Sequence, residues 1–162
     1  MNDALLTGGG VTLRRAGDGE RAGVERLQQA AYARNRVLLG LEPVPLLADY
    51  ALLFRDHEVW VLPSVECDGE FQAALILETE RTGDIVIWSV STAPSIQKQG
   101  VGRALLRCAE QRAHELGRDA IRLYTGKPLI HLIDWYGRNG YEVEREEQLA
   151  DRVLVHMIKK LT

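Results

Sequence analysis

The stretch from Thr92 to Leu106, Thr-Ala-Pro-Ser-Ile-Gln-Lys-Gln-Gly-Val-Gly-Arg-Ala-Leu-Leu, constrains this chain more than any other. The run over 85–92 reads as a β-strand leading into a short polar loop, with Gly100 and Gly102 one residue apart. The loop opens into a segment whose apolar residues Val101, Ala104, Leu105, Cys108, Ala109 and Leu116 recur at helical spacing. A helix start presents backbone N–H groups without intrahelical acceptors and the positive end of the macrodipole. Glycine there lets a bulky anion approach the main chain without meeting a Cβ. Strand, glycine loop and helix together make a place to hold phosphate. The spacing is not that of a P-loop, and Leu105 stands where a dinucleotide G-x-G-x-x-G fingerprint needs its third glycine. The pattern is instead Gln97-x-x-Gly100-x-Gly102, preceded by Pro94 and a strand. Taken alone, a plain tight turn before a helix would carry the same glycine pair.

Composition bounds what such a loop can belong to. At 162 residues the chain is long enough to bury one core, and 11–162 is expected to be a single domain behind a flexible lead-in over 1–10 that ends Gly8-Gly9-Gly10. A net charge of −3 gives no overall attraction to nucleic acid. Cys67 and Cys108 lie far apart in periodic segments, which suits buried thiols in a reducing compartment rather than a disulfide or metal site. No metal constellation appears among the histidines. No apolar run approaches the roughly 18 residues of a membrane span, and no secretory pattern opens the chain. A cytoplasmic protein without a membrane or nucleic-acid partner is expected.

Hydrophobic periodicity and turn residues divide the rest. A strand is predicted over 11–14, then a helix capped by Asp18 with Val24, Leu27, Ala30 and Ala31 on one face, broken at Gly40, Pro43 and Pro45. A second helix carries Leu46, Leu47, Tyr50, Leu53 and Phe54. Strands over 58–65 and 71–78 flank the hairpin signal Asp68-Gly69, and Thr82-Gly83-Asp84 turns into the strand before the loop. After the loop helix, ended by Gly117, come a strand over 119–124, a helix over 128–138 stopped at Asn139-Gly140, and strands over 141–145 and 152–158. The order β-α-α-β-β-β-α-β-α-β-β is α/β. It implies a mixed, mostly antiparallel sheet flanked by helices, with a parallel crossover around the glycine-loop helix.

The glycine loop resembles the acetyl-CoA loop of the GNAT superfamily, the Gcn5-related N-acetyltransferases, and the element order is that of the GNAT fold. A second stretch adds to the likeness. Leu123-Tyr124-Thr125, then Tyr136, then Gly140-Tyr141 is similar to the family's second signature, a helix tyrosine shortly before a Gly-aromatic pair. Ala31-Tyr32, Gly40-Leu41, Pro43-Val44-Pro45 and Asp49-Tyr50 are similar to a subgroup of small bacterial members. The resemblance covers about residues 11–161 and is specific at the loop and around Tyr136.

The resemblance implies direct acetyl transfer from acetyl-CoA to a primary amine on a small molecule or a protein, without metal or covalent enzyme intermediate. Small amines, amino acids, aminoglycoside-like antibiotics and protein N-termini or lysines are all open as acceptors. The backbone of Val90, Ser91 and Thr92 would pair with the pantetheine arm, and Gln97, Lys98, Gln99, Gly100, Val101, Gly102 and Arg103 would hold the pyrophosphate. Arg138 is a further phosphate partner. A backbone N–H would polarise the thioester carbonyl. Tyr136 would protonate the departing thiolate; its helix position also suits a core aromatic. The sequence departs from the family at Lys98, often Gly or Arg, and at Leu129 and Leu132, where an Asn is usual. It departs again at Trp88 and Ser89, in a region that often carries a carboxylate. Glu78, on the neighbouring strand, is the candidate general base in its place, against the reading of a solvated strand-end residue. Trp60, Trp88, Tyr32 and Tyr50 are candidates to line an acceptor cleft, and an exposed sheet edge is available for a homodimer. An inactive coenzyme A-binding module and a nucleotide-binding protein are two other readings of the same loop.

Overall fold

The structure, a computed structural model, describes residues 4–162. Its strands form one eight-stranded sheet in the order β1-β2-β3-β4-β5-β6-β8-β7. The strands are β1 Leu5–Gly8, β2 Val11–Arg15, β3 Glu58–Pro63, β4 Phe71–Glu78, β5 Asp84–Thr92, β6 Ala120–Gly126, β7 Glu142–Gln148 and β8 Val153–Lys160. The helices are α1 Arg21–Ala31, α2 Ala33–Leu39, α3 Val44–Leu47, α4 Tyr50–Asp56, α5 Val101–Glu115 and α6 Ile130–Arg138. The sheet is mixed and mostly antiparallel, as the sequence predicts, and β5 and β6 are its parallel pair.

The expected flexible lead-in is instead a strand from Leu5 on; residues 1–3 lie outside the described residues. Gly8 pairs with Val11, so Gly9 and Gly10, at φ 57° and 84°, are the two central residues of a tight hairpin. Gly8 has a further reason to be glycine: a Cβ there would stand 2.6 Å from the backbone nitrogen of Cys108 on α5. The hairpin holds Leu6 fully buried, and the Cys108 thiol lies 3.8 Å from the carbonyl oxygens of Leu6 and Gly8. Burial pushes that thiol up to about 11, which leaves it inert. Cys67, expected to be buried, is exposed in the β3–β4 turn.

The front helices also differ from expectation. The first predicted helix is two, α1 and α2, because Tyr32 leaves helical geometry at φ −96°, ψ 4° and turns its side chain toward β5. Gly17, not Asp18, precedes the first turn, and the Glu20 carboxylate accepts from the Gly17 N–H at 3.0 Å. The second predicted helix is likewise split into α3 and α4, and Asp49 caps α4 by accepting from the Ala51 N–H at 2.9 Å. Gly117, at φ 67°, ends α5: its N–H reaches His114 O and that of Arg118 reaches Ala113 O.

Alternation along the strands sends apolar side chains to both faces. Leu75, Leu77, Ile85, Ile87, Ile121 and Leu123 pack with α5 and α6 on one side. Val59, Val61, Ala74 and Ile76 pack with α1 and α4 on the other. Both central strands are therefore apolar on each face.

Two features of β5 shape the functional region. Its pairing with β6 runs from Asp84↔Ala120 only to Ile87↔Leu123, although both strands continue. Its register with β4 also slips, from Leu77↔Ile87 to Ile76↔Ser89, so Trp88 is an extra, bulged residue. A bulge bends the strand and changes which face the following side chains take. Trp88 packs with the α1-side core and Ser89 bonds to α1, two consecutive residues on one face. Beyond the bulge β5 and β6 separate.

The closed end of the pair is fixed by Asp84, whose carboxylate accepts from Arg81 Nε at 2.7 Å and from Arg122. Arg81 first, with Arg122, holds this carboxyl below the usual carboxylate range against the opposing effect of burial. Asp84 is 3% exposed, whereas both arginines can regain water. A lowered folded-state value means the contribution is full above the unfolded value of about 4 and is lost as pH falls through the folded one. Asp84→Asn should therefore cost about 2 kcal/mol in urea unfolding at neutral pH. The gap between wild type and variant should narrow below about pH 4.

Candidate active site

The separation of β5 from β6 opens a cleft of about 700 Å³. Its floor is the edge of β5 from Trp88 to Thr92, which lacks a strand partner on the β6 side. α6 forms one wall through Leu132, Trp135 and Tyr136, and Leu41, Pro43 and Pro45 close the other side. Gly126 lets α2 cross the mouth, since a Cβ there would sit 2.7 Å from Leu39 Cδ2.

Of the predicted site residues, Val90, Ser91, Thr92, Gln97, Lys98, Gly100, Gly102, Arg103, Tyr136 and Arg138 all line this cleft. Gln99 and Val101 do not; Gln99 instead turns its amide to Ser95 O at 3.4 Å. Pro94–Ile96 forms a 3-10 turn, and the Gln97 amide donates to Thr92 O at 3.3 Å, tying the loop to its strand. Lys98 takes φ 66°, and among the described residues no other non-glycine has a positive φ. Gly100 follows at φ 83°, with open space where a Cβ would point. These conformations bring the chain into the start of α5, where the N–H groups of Val101, Gly102 and Arg103 have no intrahelical acceptor. A Cβ on Gly102 would meet the Trp135 ring at 3.3 Å, so the helix start and α6 approach at their contact limit.

The residues fit a pyrophosphate. First-turn amides, an open glycine and the side chains of Lys98, Arg103 and Arg138 converge on one end of the cleft, with none of these three cations in an ion pair among the described residues.

Toward the α1 side the lining changes to hydroxyls and rings. Tyr32 Oη lies 2.8 Å from Ser89 Oγ, which also accepts from Gln28 Nε2 at 3.0 Å. Burial pushes the Tyr32 phenol up to about 12, its bond with Ser89 opposing the rise. Burial also raises Tyr136, with Tyr32 adding to the effect. Both phenols therefore stay protonated at neutral pH and serve as donors. Tyr124, on β6, is raised by burial and then by the charges of Glu78 and Glu147. Ser91 Oγ is buried without a hydrogen-bond partner.

Glu78 stands outside the cleft. It pairs with Val86, opposite the closed part of β5–β6, and the bulge at Trp88 sets the opening further along the strand. Its nearest cation is Arg81, at 3.9 Å. Trp60 is fully buried under the guanidinium groups of Arg15 and Arg112, in the α5-side core and apart from the cleft lining. Tyr50 is buried, donates to Pro45 O at 2.7 Å, and meets Trp88 edge-on at 6.5 Å. Tyr32 and Trp88 do line the cleft. Sequence reasoning missed the rim formed by Asp151, Arg152, Val153 and Leu154, which follows β7 and carries no motif. It also missed Trp135, marked only by its place beside Tyr136.

A glycine loop on a helix start, set where two parallel strands part, defines a domain built to hold a phosphate-bearing acyl carrier along a strand edge. The sequence profile of the acetyltransferase (GNAT) family matches residues 24–141, most of the chain, and the chain belongs to that family. A curated relative, the uncharacterized N-acetyltransferase YvbK of Bacillus subtilis (strain 168), is 29% identical over 75 residues, 46% of this chain and 48% of that protein. The chain thus matches about half the length of that relative. Among solved structures, a Bacillus subtilis acetyltransferase in complex with CoA aligns at a TM-score of 0.67 and 18% identity, over 98% of this chain and 100% of that one. A GNAT family acetyltransferase from Elizabethkingia anophelis with acetyl-CoA bound aligns at 0.59 and 16% identity, over 74% of this chain and 92% of that one. These likenesses establish the fold. No helix among the described residues is long and apolar enough to cross a membrane.

Gly102→Trp places a large side chain at the contact with Trp135 and into the loop end of the cleft. The variant should keep its far-ultraviolet spectrum and lose measurable acetyl-CoA binding in calorimetric titration. Lys98→Ala should weaken the same binding by about three- to tenfold and flatten its dependence on salt.

Proposed function

We propose that this protein moves an acetyl group from acetyl-CoA to a primary amine by direct transfer. The observation that carries this reading is the conjunction, in one cleft, of the phosphate-type loop, the unpaired β5 edge and the buried Tyr136 hydroxyl. Acetyl-CoA, when bound, supplies the thioester. The chain's own residues do the rest. The Gly100–Gly102 main chain, with Lys98, Arg103 and Arg138, holds the phosphates. The free edge from Val90 to Thr92 offers main-chain hydrogen bonds to an extended arm and an N–H for the carbonyl oxygen. Tyr136 keeps its proton at neutral pH because burial raises it, and hands that proton to the departing sulfur.

No base is assigned to Glu78, whose position opposite the closed strands leaves it off the cleft wall. The amine is taken up neutral, its ammonium proton already lost to water. As the C–N bond forms and the C–S bond breaks, the nitrogen gives up a second proton to solvent, and solvent returns one to Tyr136. Ser89, Gln28 and Tyr32 bond to one another there, while Gln28 Oε1 and Ser91 Oγ are buried without a hydrogen-bond partner. The proposed setting is a single soluble domain acting in the cytoplasm, with an exposed sheet edge left for self-association.

Thiol release from acetyl-CoA in a primary-amine screen tests the reading. Tyr136→Phe should lower turnover by about 100-fold while acetyl-CoA affinity stays within about twofold. A non-catalytic coenzyme A-binding module would show binding in both proteins and no amine-dependent thiol release in either. ATP outcompeting coenzyme A for the wild type would overturn the reading in favour of a nucleotide-binding protein.

A further inference from the structure

The cleft has an asymmetric lining that bears on the acceptor, an inference that rests on the acetyltransferase reading above. Among the described residues its only carboxylate is Asp151, against the cations Arg34, Lys98, Arg103, Arg138 and Arg152. That one acid is already used: Arg152 donates to both its oxygens at 3.0 Å. Of the cations without an ion pair among the described residues, Lys98, Arg103 and Arg138 belong to the glycine-loop end, and Arg34 stands on α2. The α1-side walls are different in kind. The bulge in β5 turns Trp88 to that face, where it is half-buried, braced edge-on by Tyr50 and by His57 at 6.2 Å, and still lines the cleft. Tyr32, Tyr124, Leu41 and Pro45 also line the cleft.

An ammonium moved from water into such a wall needs a carboxylate or several acceptors to offset its desolvation. One amine escapes that cost by entering neutral, as the chemistry requires. Further ammonium groups on the same molecule do not, and here no unpaired carboxylate waits for them. Flat apolar surface is what the walls do offer, and rings pack against it edge-to-face or offset. We infer that the acceptor is a primary amine on a flat apolar body, carrying no second cationic group, with Trp88 as its main contact. Polyamines and polycationic antibiotics are expected to bind the same walls more weakly.

The test is equilibrium binding to the protein saturated with coenzyme A, which cannot react, using 2-phenylethylamine and spermidine as probes. Coenzyme A is titrated first. Failure to bind it overturns the acetyltransferase reading, and this inference with it. With coenzyme A bound, 2-phenylethylamine should bind at least about tenfold more tightly than spermidine. Trp88→Leu, which keeps an apolar side chain in the core, should weaken 2-phenylethylamine by about tenfold and leave coenzyme A affinity unchanged. Leu41→Glu, at a half-buried rim position, should move the preference toward spermidine. Spermidine binding as tightly as 2-phenylethylamine, no binding of 2-phenylethylamine, or an affinity indifferent to Trp88→Leu would each overturn the inference while leaving the donor site intact.

Discussion

The candidate active site of this molecule depends on where one parallel strand pair stops. β5 and β6 share hydrogen bonds from Asp84 to Ile87 and then part, while β5 stays bonded to β4 and β6 to β8. A strand edge that loses its partner inside a domain leaves main-chain groups that must be satisfied by water or a ligand. The domain accepts that exposure because each strand is held firmly on its other side. The bulge at Trp88 bends β5 at the point of separation, and the Asp84 cluster with Arg81 and Arg122 locks the closed end. The opening is thus a designed discontinuity between two well-paired halves of one sheet.

The same discontinuity brings remote parts of the chain together. β5 runs straight into the glycine loop, so the phosphate end of the cleft is one short loop away from the strand edge. β6 leads to α6, which returns Tyr136 and Trp135 along the opposite wall. α1 and α2 break at Tyr32 and cross in front, with Leu39 seated on Gly126. A glycine loop, a free main-chain edge and a buried phenol, the parts the proposed chemistry uses, are thereby brought together from segments that are local in sequence only in pairs.

This explains what could be read from the residues alone. The glycine loop was legible because it is local: positive φ and an open helix start demand glycine at fixed spacing, and Gly100 shows it directly. The strand and helix order was legible for the same reason, through periodicity and turns. Tyr136 was legible only beside Gly140-Tyr141, as part of a family resemblance. The β1–β2 hairpin was misread because Gly8-Gly9-Gly10 suits a flexible leader as well as a tight turn under a helix, and only the contact with Cys108 and Ala104 decides. Glu78 was misplaced because β4 runs antiparallel to β5, so the end of β4 lies beside the start of β5, where β5 and β6 are still paired. A residue's face, on a strand, is a tertiary property once the pairing slips by one.

The bulge also accounts for the departure from the family pattern that the sequence raised. Trp88 and Ser89 stand in the region where a carboxylate is often found, and both are turned to the α1 side. Ser89 is consumed by Tyr32 and Gln28, which rigidifies the front helix against the strand. Trp88 is braced by two rings and left facing the cleft. A carboxylate in place of Trp88 would be set against the rings of Tyr50 and His57 and partly desolvated, a costly arrangement. The sequence therefore exchanges a side chain that could handle a proton for one that handles an apolar surface. On the proposed reading, that exchange leaves deprotonation of the amine to solvent and gives recognition of its body to the protein.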